Sequence, residues 1–145
     1  MEDRMLHIDL MNGQVRVMLC DTTRMVQQMS DIHNASAVCT AALGRLMTGT
    51  AILGVMMKGQ EESVTVTMKG DGPMGSLVAV ADHGFVKACA DDPQVQLPLR
   101  KDGKLDVGGA VGHAGRMIVI KDLGMKKNYI GQWSGLTIKR LMIKR

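Results

Sequence analysis

Two glycine-rich segments hold the spacings that could serve chemistry. Gly70-Asp71-Gly72-Pro73-Met74-Gly75 spells G-x-G-x-x-G after a predicted strand. In a dinucleotide site that pattern lets backbone approach a pyrophosphate and then opens a helix whose N-terminal amides face it. Here Ser76-Leu77-Val78-Ala79-Val80 reads as another strand, and Pro73 lacks a backbone donor, so a tight turn is the favoured reading. Val107-Gly108-Gly109-Ala110-Val111-Gly112-His113-Ala114-Gly115 could bend so that successive amides converge on one oxyanion. No Walker lysine and serine follow it, and a loop crossing close to another backbone accounts for the same glycines.

The remaining reactive side chains are scattered. His7, His33, His83 and His113 have no metal-set spacing, and neither H-E-x-x-H nor G-x-S-x-G occurs. Glu61-Glu62 and Asp91-Asp92 are adjacent acids in loop contexts, the usual pattern of solvated surface. Cys20, Cys39 and Cys89 contain no C-x-x-C, which argues against a disulfide framework and a zinc site. No nucleophile is placed beside a base, so the chain is expected not to be an enzyme and to hold no cofactor or metal of its own.

Composition narrows the partners. Among 145 residues there are 14 Met and 17 Gly but one Trp, one Tyr and one Phe. Thioethers on unbranched stems suit a surface that must hold varied segments. They serve equally as core filler, the favoured reading for Met25, Met29, Met47, Met56 and Met57 on helical apolar faces. The formal charge is +4, yet residues 1–132 balance 14 basic against 14 acidic residues, and Lys139, Arg140, Lys144 and Arg145 supply the excess. A basic stripe on a folded face and aromatic stacking platforms, the marks of nucleic-acid binding, are both missing from the body of the sequence. The acidic start Met1-Glu2-Asp3-Arg4 leads into no apolar run, which predicts a cytoplasmic address.

The elements that must position these residues follow from periodicity. Leu6, Ile8, Leu10 and Val15, Val17, Leu19 alternate on either side of Asn12-Gly13, the strongest short hairpin signal. Asp21 offers an N-cap, and Met25, Val26, Met29 and Ile32 mark one face of a short helix. From Ser36 to Met57 the chain is apolar enough to suggest a membrane span, but Arg45 near its centre and Thr40, Thr48 and Thr50 favour a buried core helix. Gly44 and Gly49 within it call for a closely packed neighbour, and Lys58-Gly59 offers the C-cap. The period then changes to two: Val64, Val66 and Met68 alternate with Ser63, Thr65, Thr67 and Lys69, and Leu77–Ala81, Phe85–Ala90 and Met117–Ile120 are further strands. The order predicts an α+β domain: an N-terminal hairpin, two helices with the second long and buried, then a largely antiparallel sheet.

Read in order, the motifs resemble the 33 kDa chaperonin family of oxidation-activated heat-shock chaperones. The resemblance rests on Asn12-Gly13-Gln14-Val15-Arg16, Asp21-Thr22-Thr23, Thr40-Ala41-Ala42-Leu43-Gly44-Arg45, Leu53-Gly54 with Lys58-Gly59, and Lys69-Gly70-Asp71-Gly72-Pro73. It continues through Gly103-Lys104-Leu105-Asp106-Val107-Gly108-Gly109-Ala110-Val111-Gly112, Ile120-Lys121-Asp122-Leu123-Gly124 and Tyr129-Ile130-Gly131-Gln132. It implies ATP-independent holding of unfolding or oxidatively damaged proteins in the cytoplasm and homodimerisation in the active state, while the charge balance and the polar residues of the Ser36–Met57 stretch already argue against nucleic-acid and membrane partners. It marks Gly44, Arg45, Gly70, Asp71, Gly72, Pro73, Lys104, Asp106, Gly108 and Gly109 as structural motif residues and nominates no client-binding residue.

In that family a C-terminal region carries cysteines in C-x-C and C-x-x-C pairs that bind zinc when reduced and form disulfides on oxidation. Cys20, Cys39 and Cys89 lack that spacing, so no zinc or redox role passes to them. The resemblance covers a core of residues 4–132, incomplete relative to the family, and stops at a divergent basic tail, 133–145. Absent strands would leave an open sheet edge able to pair with other chains. The rival reading is a small-ligand or nucleotide-binding domain using the loops at 70–75 and 108–115.

Overall fold

In the computed structural model, which describes residues 2–57, 59 and 62–134, the chain begins with a hairpin of β1 (Arg4–Leu10) and β2 (Val15–Asp21). The turn starts one residue earlier than Asn12-Gly13 suggests: Met11, Asn12 and Gly13 have φ of 51°, 55° and 83°. Bonds from Gly13 N to Leu10 O and from Gln14 N to Met11 O close it. The resulting register pairs Leu6 with Leu19, Ile8 with Val17 and Leu10 with Val15, so six aliphatic side chains share one face.

Helix α1 (Thr23–His33) is capped differently from the sequence expectation. Thr22 holds the N-cap position, and Asp21 turns its carboxylate to the Thr23 amide and hydroxyl. The next two amides, of Arg24 and Met25, donate to Asp3 at 2.8 and 2.7 Å. A residue ahead of the hairpin therefore satisfies donors of the helix that follows it. Met29 is buried on the expected face, while Ile32, in the last turn, is 71% exposed because no described element covers it.

Helix α2 (Ala37–Val55) starts at Ser36, whose hydroxyl accepts from the Cys39 amide. It ends with Met56 at the C-cap, ahead of the expected Lys58-Gly59; Lys58 lies outside the described residues. The two helices meet along lines spaced by four residues on each: the Ser30 and Thr40 hydroxyls bond at 2.8 Å, Val26 faces Gly44, and the Thr22 and Thr48 hydroxyls bond at 2.7 Å. A Cβ on Gly44 would come within 2.8 Å of Val26 Cγ1. The close neighbour anticipated for Gly44 is thus α1, whereas Gly49 has nothing near it.

Beyond α2 runs a five-stranded antiparallel sheet in the order β5-β4-β3-β6-β7, built from β3 (Ser63–Gly70), β4 (Ser76–Asp82), β5 (Phe85–Ala90), β6 (Gly115–Asp122) and β7 (Tyr129–Ser134). Val64, Val66, Met68, Leu77, Ala79, Ala81 and Val119 are buried on one face, beneath α2. Together with Val38, Ala42, Leu43, Leu46 and Met47 of the helix they form the core. Hence α2 can be apolar around its circumference without a membrane, since α1 lies along one side and the sheet along another.

Two elements go beyond the sequence expectation. The glycine-rich segment contains a short helix, α3 (Val107–Val111), and β7 adds an edge strand that carries the sheet two residues past Gln132. The α+β order of hairpin, helices and antiparallel sheet is as expected. Residues 135–145 of the tail lie outside the described residues.

Candidate functional site

The two glycine-rich segments are parts of one joint. In it the 70–75 turn lies directly on the end of α3: Gly72 N donates to Val111 O at 3.1 Å, Met74 N to Ala110 O at 3.0 Å, and Asp71 N to Ala114 O at 3.1 Å. Asp71 returns its carboxylate to the amides of His113 and Ala114, at 2.8 and 3.2 Å. These backbone bonds, Ala114 first and His113 second, hold the Asp71 carboxyl below the usual carboxylate range. A Cβ on Gly72 would lie 2.5 Å from the Gly112 nitrogen and 2.6 Å from the Val111 carbonyl carbon, so only hydrogen fits.

The close backbone crossing favoured for the second segment is thus what forms, and two of its amides, which the rival reading would turn to a ligand anion, donate to Asp71 of the first. The glycines serve a close backbone crossing, and the donors a nucleotide phosphate would require at His113 and Ala114 are engaged. Met74, fully buried, plugs the joint into the core.

The other motif residues divide between this joint and more distant places. Asp106 caps α3 by accepting from the Gly109 amide at 3.0 Å. Gly70 pairs with Gly115 at the end of the β3–β6 ladder. Pro73 is exposed at the tip of the turn, and Gly108 is half-buried within α3. Lys104 belongs to an exposed turn, where its carbonyl accepts from Arg100 N. Gly44 is the contact with α1, and Arg45, exposed on α2, borders a narrow apolar slot of about 210 Å³ between α2 and the sheet. The structure therefore gathers Gly70, Asp71, Gly72 and Pro73 with Asp106, Gly108 and Gly109, and leaves Gly44, Arg45 and Lys104 apart.

Cys20, Cys39 and Cys89 sit on β2, α2 and β5, and no group of three or more His, Cys, Asp or Glu gathers among the described residues. These thiols do not fit the clustered thiolate set of a zinc switch. Burial, with Asp92 second, pushes the Cys39 thiol up to about 11, and burial followed by the charges of Asp3 and Asp21 raises Cys20. Both shifts oppose the thiolate form that metal binding and oxidation need.

What the molecule does offer is apolar surface. On the hairpin face Leu6 and Leu19 are each 54% exposed, Leu10 and Val15 are also open, and Ile8 and Val17 are half-buried between them. The hairpin meets the rest of the chain near its base, through Asp3 on α1 and through β2 against α2. The second surface is the far face of the large sheet. There Val78, Val80, Ile118 and Ile120 flank Thr65 and Thr67 and are half-buried, on the side away from α2. Alternation made the hairpin strands legible in the sequence, but not that no described element would cover their aliphatic side.

A family model described as Hsp33 protein matches residues 3–137. The 33 kDa chaperonin of Alkaliphilus metalliredigens is 42% identical over 132 residues, covering 90% of this chain and 45% of the relative. That of Lachnoclostridium phytofermentans is 44% identical over 133 residues, covering 91% and 45%. The crystal structure of the 33 kDa chaperonin (heat shock protein 33 homolog) of Thermotoga maritima superposes with a TM-score of 0.85 at 29% identity, over 92% of this chain and 46% of that one. The chain thus spans a little under half the length of these relatives.

Proposed function

The chain belongs to the Hsp33 family, and on that premise we propose that it acts as an ATP-independent holdase that binds unfolding proteins and keeps them from aggregating. The observation that carries this reading is the hairpin face, with its aliphatic pairs Leu6–Leu19 and Leu10–Val15 open to solvent and Ile8–Val17 half-buried between them. Covering such surface with an exposed client segment stabilises the pair by roughly 25 cal/mol per Å². No bond is made or broken, so no catalytic group is required. The names of the relatives, chaperonins throughout, point the same way.

Cytoplasmic location and a homodimer are further parts of the proposal, and sedimentation of the purified chain tests the second. Nucleic acid and membrane are not proposed as partners: charge is balanced through residue 132, and the apolar helix α2 is packed on the sheet. Zinc-linked control is not proposed for this chain, because its cysteines lie on three separate elements.

The test is light scattering from a thermally unfolding client, with and without prior peroxide treatment of the chain. Suppression of scattering in both conditions is expected. Suppression confined to the oxidised sample, or none at all, refutes the proposal. Nucleotide titration calorimetry addresses the rival ligand-binding reading, for which no saturable heat is expected.

A further inference from the structure

A groove of about 600 Å³ lies where the base of the hairpin, the C-terminal end of α2 and the β4–β5 turn meet. Met5, Met25, Met57 and Ala81 are among its apolar lining, and two more lining residues, Val55 and Phe85, are 61% and 72% exposed. Three methionines in one groove supply a surface that reshapes around different side chains. Among the described residues the charged groups bordering it are Asp3, Asp21, Glu62 and Asp82 against Arg4 and His83, with Asp82 and His83 in contact as a pair at the β4–β5 turn. Asp3 accepts from the Arg24 and Met25 amides and Asp21 from Thr23, so neutral donors fix both carboxylates, with Arg4 offsetting part of the charge on Asp21.

We infer that this groove takes extended client segments in which aliphatic side chains are interspersed with lysine or arginine, and disfavours acidic segments. The inference rests on the chaperone reading and adds the chemistry of the client. Aliphatic side chains fill the methionine-lined floor, while the long stems of Lys and Arg lie along apolar surface and carry their charge to the acidic border. Complementary charge of this kind favours encounter and excludes wrong partners more than it adds tight binding.

The experiment uses the full chain and three fluorescein-labelled peptides of alternating Leu–Lys, Leu–Gln and Leu–Glu, read by anisotropy. The Leu–Lys peptide should bind about fivefold more tightly than Leu–Gln at low salt, with Leu–Glu weakest. Raising salt from roughly 50 mM to roughly 300 mM should compress that order. The double variant Glu62→Gln with Asp82→Asn should lose most of the Leu–Lys preference while keeping its Leu–Gln affinity, with a circular-dichroism spectrum showing that it is folded. Equal affinity for the three peptides, or a preference unchanged by both salt and the double variant, overturns the inference. The same samples run in the client scattering assay separate the two readings. Suppression of scattering without charge preference sinks the groove alone. Charge preference without suppression sinks the chaperone reading alone.

Discussion

In the large sheet, the alternating aliphatics Val64, Val66, Leu77 and Ala79 lie beneath α2 and are fully or nearly fully buried. In the hairpin, an equally regular alternation leaves Leu6 and Leu19 about half open. Local pattern and strand pairing are alike in the two regions, and the difference is whether a helix lies over the apolar side. Where α2 covers it, alternation makes a core; where no described residue covers it, the same alternation makes an open apolar surface, the one proposed to hold clients. Stability and the proposed activity should therefore reside in different residues.

The sharpest break of that comparison is a core truncation set against a hairpin truncation. Leu43→Ala, at a fully buried site on α2, should cost about 2–5 kcal/mol in urea unfolding. Leu6→Ser with Leu19→Ser should cost less than about 1 kcal/mol per site, yet reduce client protection about threefold in the scattering assay. Equal losses of stability at both places would erase the distinction.

Next in size is the glycine joint. Gly72→Ala drives a methyl into the backbone of α3 and should destabilise by about 1–3 kcal/mol, measured as a lower denaturation midpoint. On α2, two glycines should respond with opposite signs. Gly44→Ala presses on Val26 and should destabilise, whereas Gly49→Ala meets nothing within 4 Å and should stabilise by about 0.4–1 kcal/mol. Removing the N-cap in Ser36→Ala should cost about 1 kcal/mol.

The smallest effect is nil at neutral pH. The Cys39 thiol ordinarily ionises near 9 and is pushed up to about 11 in the fold. Both states are neutral below about pH 9, so the full stability is present there. As pH rises, the unfolded chain ionises first, and stability is lost from about 9 through 11. Cys39→Ala should remove that share of the alkaline decline in a pH series of melting temperatures.

Much of this arrangement was legible residue by residue. The two-residue period of Val64, Val66 and Met68, the left-handed turn around Asn12-Gly13 and the Ser36 cap are local signals, and each is present in the fold, the turn widened to take in Met11. The polar centre of the Ser36–Met57 stretch correctly argued for a core helix. Other features were not legible because their partners are distant in sequence. Asp3 caps α1 across the whole hairpin, Gly44 is small because Val26 needs the room, and Asp71 answers the amides of His113 and Ala114, more than forty residues on.

The glycine segments are the clearest case of a split reading. Each was recognisable alone as a turn or an anion nest, but neither announced that the other would supply its partner. Sequence by itself determined the order and kind of the main elements, since backbone sterics and side-chain period act over a few residues. Tertiary structure decided which apolar face is buried and which is offered to solvent, because burial is a property of what lies opposite a residue and not of the residue itself.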